Sequence, residues 1–139
     1  ARAAQPYKIY PANVSIDLSL YKMAPKVTLH EVLTFRRSLR QYNENYKISL
    51  NEIAYVLYNS YGVTKTFKIA DSFEVDGNWG LRNVPSAGGL YPLELYIVVL
   101  NGHISSGLYH YRSDTNALEL INPQRPQSFF LQEYLNELL

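Results

Sequence analysis

The first twenty-seven residues show alternating apolar positions, several prolines and no helical period, which predicts an extended N-terminal arm over residues 1–27. A helical period begins behind Thr28-Leu29-His30-Glu31. Its hydroxyl and its glutamate stand at capping-box spacing, and this predicts a short helix carrying Val32, Leu33 and Phe35. The same spacing recurs at Ser49-Leu50-Asn51-Glu52. There Leu50, Ile53, Ala54, Val56 and Leu57 form one apolar stripe, which Tyr61-Gly62 closes. Between residues 65 and 84 no period persists, and charges, Asp76-Gly77-Asn78, Gly80 and the single Trp79 predict an irregular loop or flap. The period then becomes two. Residues 93–100 read as a strand ending in a hairpin turn at Asn101-Gly102, "GLYHYR" as a second strand, and "ALELI", after the turn Asp114-Thr115-Asn116, as a third. These make a three-stranded antiparallel meander with flanking helices, an α+β class. Beyond Pro123 and Pro126, the apolar residues Phe129, Phe130, Leu131, Tyr134, Leu135 and Leu138 predict a helix from about Ser128.

Composition narrows the chemistry. With 139 residues, 47% hydrophobic and 18% charged, the chain fits one globular domain with an ample core. A net charge of +1 gives no broad field for nucleic acid, so any anion site must be local. The absence of cysteine excludes disulfides, thiolate metal sites and cysteine nucleophiles. No apolar run is long enough for a transmembrane helix, and the N-terminal residues lack a signal-peptide layout; a cytoplasmic protein is expected. His30, His103 and His110 are scattered over a capping turn, a hairpin and a strand, so no metal site is assigned.

Two stretches carry candidate chemistry. In Pro85-Ser86-Ala87-Gly88-Gly89-Leu90-Tyr91-Pro92, adjacent glycines permit positive φ and bare the backbone, either for a tight turn or for close approach of a ligand. In Arg36-Arg37-Ser38-Leu39-Arg40, the arginines around a serine offer bidentate donors and a hydroxyl suited to a phosphate ester; solvated cations at a helix C-terminus are the alternative. Among single residues, Trp79 with Asp76 and Arg82 is either part of a substrate flap or a packing anchor. Glu94, set between apolar neighbours, is expected to be paired in the interior, with a general-base role as the lesser alternative.

Together the two stretches resemble the nitroreductase-like flavoprotein superfamily, and "PSAGGLYPLELYIVV" is similar to its SagB-type dehydrogenase branch. The resemblance runs from about Tyr10 to Ile121 and includes "ISLNEIAYVLYNSYGVT" in the same order. It implies an FMN cofactor. The arginine-serine stretch, Arg36, Arg37, Ser38 and Arg40, would lie on the phosphate and ribityl chain, and Pro85, Ser86, Ala87, Gly88 and Gly89 would line the isoalloxazine ring. It further implies an oxidase turning thiazoline or oxazoline rings of a ribosomal precursor peptide into thiazoles or oxazoles. The implied partners are that azoline-containing peptide, a second copy in a homodimer and a cyclodehydratase, with no nucleic acid and no membrane. An NAD(P)H-dependent nitroreductase-like enzyme and a flavin-free scaffold or peptide-binding half-domain are the alternatives.

The resemblance also implies a domain extending past the meander, with further helices, a second basic phosphate contact and a downstream Lys-Tyr pair for proton abstraction. No such pair stands in a matching context here; Tyr46-Lys47 has the reverse order. Residues 28–139 are therefore expected to be the N-terminal portion of an FMN domain. The remainder of that domain is an expected partner, the catalytic residue is unassigned, and this chain alone is expected to be inactive.

Overall fold

The computed structural model of the protein describes residues 7–10, 14–21, 24–43, 45–68 and 78–123. Its main sheet has four antiparallel strands in the order β1 (Ser15–Asp17), β6 (Ala117–Asn122), β5 (Gly107–Arg112), β4 (Tyr96–Val99). The meander is thus present, but a segment of the N-terminal arm adds a fourth strand: Ser15, Ile16 and Asp17 pair with Glu119, Leu118 and Ala117. Neither neighbour pattern nor turn chemistry announces so distant a pairing in the sequence.

Alternation along β5 organises the molecule. Tyr109 and Tyr111 point to one face and are buried with Ile53, Ala54, Leu57 and Tyr61 of helix α2 (Leu50–Tyr61), together with Leu18, Val99 and Leu118. His110 points to the other face and is equally buried, beneath Tyr10 and Tyr96. One side of the sheet is therefore an apolar layer under a helix, and the other is polar.

Both capping boxes form. The Thr28 and Ser49 hydroxyls accept from the amides of Glu31 and Glu52, whose carboxylates reach back to the amides of Thr28 and Ser49. The two helices differ in what they bury. Helix α1 (Leu29–Phe35) has no buried residue, and Leu29, Leu33 and Phe35 are more than two-thirds exposed (74%, 72% and 71%). Helix α2 ends at Gly62, whose amide bonds the Tyr58 carbonyl at 2.8 Å with extended backbone angles. A glycine is needed there because a Cβ would run into the ring and carbonyl of Tyr58.

Three expectations need correction. The segment read as an irregular flap holds an antiparallel hairpin, β2 (Val63–Lys68) with β3 (Asn78–Arg82); the intervening residues, Asp76 among them, lie outside the described set. Phe67 pairs with Trp79 and Thr66 with Gly80, but every residue of β2 after Val63 is exposed, so no alternation of buried and exposed positions marks the strand. The strand expected over 93–100 is confined to Tyr96–Val99. Asn101-Gly102 is not a two-residue hairpin turn either: β4 and β5 are joined by residues 100–106, where Gly102 bridges Ile48 in parallel and the His103 amide bonds the Ile48 carbonyl. Tertiary pairing with the segment before α2 outcompetes the local turn. The helix expected from Ser128 lies outside the described residues.

Candidate functional site

The glycine loop is a 3-10 turn, Ala87–Gly89, held from behind. Gly88 and Gly89 both take positive φ, 63° and 64°, a region costly for side-chain-bearing residues. Ser86 organises the turn: its carbonyl accepts from the Gly89 amide at 3.0 Å and its hydroxyl from the Tyr91 amide at 2.9 Å. Trp79 on β3 donates Nε1–H to the Gly89 carbonyl at 2.6 Å, and the Arg82 amide donates to the Tyr91 hydroxyl at 3.0 Å. These bonds make Trp79 an anchor of the loop. Tyr91 itself sits at φ 44°, a strained position for a tyrosine, fixed at both its amide and its hydroxyl. Pro85, Ala87 and Gly88 are exposed, and a Cβ on Gly88 would meet only the Leu90 side chain, at 3.6 Å. The turn thus presents bare backbone outward.

The arginine cluster lies at the end of α1 and is exposed throughout. Arg36 caps the helix through its amide, bonded to the Val32 carbonyl, and its Nη1 reaches the Ser38 hydroxyl at 3.3 Å. Arg37 turns back onto the carbonyls of Thr34 and Arg36 at 3.0 and 2.8 Å. Among the described residues no acid pairs with Arg36, Arg37 or Arg40, which leaves three guanidinium charges available to an anion. No described hydrogen bond or ion pair joins this cluster to the glycine loop. Each half of the expected site is formed locally; nothing described brings them together.

The polar face of the sheet holds a constellation that sequence reading met only in part. Glu94, expected to be paired, accepts from His110 Nε2 at 3.0 Å, and His110 Nδ1 faces Glu119 at 3.1 Å. Glu119 also accepts from Arg112 at 3.0 Å and from the Tyr10 amide at 3.2 Å, and Arg112 is held at its other edge by Asp114. Burial raises the Glu119 pKa, but the bonds from His110, the Tyr10 amide and Arg112 outweigh it and leave the carboxyl below its ordinary value. Above this array, Tyr10 and Tyr96 share a hydroxyl contact of 2.8 Å, and Lys8 bonds Tyr96 at 3.2 Å. The hydrogen bond from the lysine lowers the pKa of the half-buried Tyr10 phenol. The signal for this array was strand register, His110 opposite Glu119, which requires the pairing and not the residues alone.

A four-stranded antiparallel sheet lies under a capped helix, with a bared glycine turn leading into its edge strand, and the fold is α+β. The family model for the nitroreductase family matches residues 33–138, and the chain belongs to that family. It is 32% identical over 94 residues to a candidate nitroreductase of Methanocaldococcus jannaschii, a match covering 67% of this chain and 41% of the relative. A crystal structure of a candidate nitroreductase from Anabaena variabilis superposes with a TM-score of 0.63 at 29% identity, covering 92% of this chain and 22% of that one. The chain thus spans less than half the length of either. No described helix is long and apolar enough to cross a membrane.

Proposed function

We propose that the protein is the N-terminal portion of an FMN-dependent dehydrogenase that oxidises thiazoline or oxazoline rings in a ribosomal peptide. The observation that carries the flavin assignment is the glycine turn: it is exposed, positive in φ, and tied by Trp79 and Tyr91 so that its bare backbone faces outward. Such a surface suits a flat ring, and the acid-free arginine cluster suits a phosphate, so the residues present fit FMN. Arg36, Ser38 and Arg40 would hold the phosphate and ribityl chain, with Arg37 beside them; Pro85, Ser86, Ala87, Gly88 and Gly89 would support the ring. Bound FMN supplies a two-electron acceptor: the azoline ring loses a hydride and a proton, and oxygen finally takes the electrons.

The likeness of "PSAGGLYPLELYIVV" to the SagB-type branch supports the peptide substrate and a cyclodehydratase partner. The exposed apolar side chains of α1, Leu29, Leu33 and Phe35, support burial against the remainder of the domain or a second copy. A second reading, an NAD(P)H-dependent reductase of small electrophiles, is favoured by the names of the relatives. Anaerobic flavin bleaching separates the two. Bleaching by an azoline peptide and not by NAD(P)H supports the dehydrogenase, the reverse supports the reductase, and a colourless full-length protein overturns both.

A further inference from the structure

Among the described residues Arg82 is a buried cation without a counter-ion. It closes β3 directly ahead of the glycine loop and is only 7% exposed, yet its Nε and Nη1 have no hydrogen-bond partner. The guanidinium lies 4.2 Å from the centroid of Tyr61, 5.1 Å from Tyr91 and 5.7 Å from Tyr7. Ring faces attract a cation, but they offer no in-plane acceptor for its N–H groups. A buried, unsatisfied charge is among the most costly arrangements a folded protein can hold.

A narrow cleft adjoins it, lined by Tyr7, Trp79, Gly80, Leu90 and Tyr91. As it stands the cleft is too narrow for a water molecule. Leu90, 65% exposed, is the solvent-facing member of the lining, so an entering group displaces this side chain and leaves the rings in place. Trp79 and Tyr91 are also the residues that tie down the glycine turn, so cleft and turn share walls.

We infer that Arg82 is the anchor of a carboxylate-binding site, in which the carboxylate of a small-molecule ligand enters past Leu90 and accepts from the guanidinium between the tyrosine rings. A carboxylate fits better than a phosphate on two counts. It is planar and slides between ring faces, and its single charge neutralises the one guanidinium, whereas a phosphate dianion would leave buried charge in excess.

The test uses formate as the probe and needs no flavin, so it stands or falls separately from the flavin assignment. In the full-length protein, formate is expected to shift the Arg82 Nε–H resonance saturably and to raise the melting temperature. Arg82→Met keeps the apolar volume and removes the donors. It is expected to weaken the formate response about tenfold or more while leaving the formate-free melting temperature equal or higher, since a buried unpaired charge has gone. Leu90→Ala removes the displaced wall and is expected to tighten binding. No shift at Arg82, or a formate response that persists in Arg82→Met, overturns the site. So does a melting temperature several degrees lower in formate-free Arg82→Met, which makes Arg82 a strut held by its ring contacts.

Discussion

Gly88 separates a structural turn from a binding turn. Its φ of 63° makes any side chain costly, and its Cβ direction is open except for Leu90. Gly88→Val is expected to cost about 1–2 kcal/mol of stability from the left-handed backbone, and to reduce flavin occupancy of the full-length protein far more than that strain explains. Occupancy from the visible spectrum, set against the melting temperature, checks it; loss of stability alone would make the turn purely structural. Arg36→Ala and Arg40→Ala each remove charge-assisted donors, so each is expected to weaken FMN by about 1.5–3 kcal/mol per bond lost, measured by equilibrium dialysis. Full affinity in the double variant would sink the phosphate assignment. At Glu119 the folded pKa is depressed, so its contribution is present above the unfolded carboxyl pKa of about 4.3 and disappears as pH falls through the folded value. Melting temperatures between pH 6 and pH 3 should therefore fall, and in Glu119→Gln should start lower and fall less steeply, because that variant already leaves Arg112 and His110 short of a partner.

The two capped helices provide a comparison at the scale of elements. Ser49 and Thr28 make the same reciprocal pair of bonds, but α2 buries Ile53, Ala54, Leu57 and Tyr61, while α1 buries nothing. Loss of a cap propagates to global stability only when the helix is part of the cooperative core. Ser49→Ala is therefore expected to lower the unfolding free energy by about 1 kcal/mol, and Thr28→Ala to change it by less than about 0.5 kcal/mol while raising amide exchange in α1. Equal effects from the two would show that α1 is packed in solution. The caps themselves were readable because their bonds span only three residues. The β2–β3 hairpin was hidden because its order comes from pairing Phe67 with Trp79 and Thr66 with Gly80 across a charged interval.

The whole molecule is where activity is decided. The arginine cluster follows a helix with no buried residue, and no described bond ties it to the glycine turn. Orientation of a cofactor requires both halves on one rigid surface, and proton removal requires a placed base. The chain by itself, in excess FMN, is expected not to bleach flavin with an azoline peptide under anaerobic conditions; adding the rest of the parent protein should restore both retention and turnover. Rapid bleaching by the 139-residue chain would place the base within it.

What could be read from the order of residues was local: the caps at Thr28 and Ser49, the turn at Asp114-Thr115-Asn116, the period-two strands and the bared glycines, each set by atoms a few positions apart. Those short-range signals sufficed for an α+β class and for both candidate stretches. Tertiary structure decided the rest. It placed the arm segment Ser15–Asp17 beside β6, set His110 between Glu94 and Glu119, turned Gly102 toward Ile48, and closed three tyrosine rings around Arg82. These contacts join residues far apart in the chain. Their energy depends on burial and strand register, which no local spacing encodes.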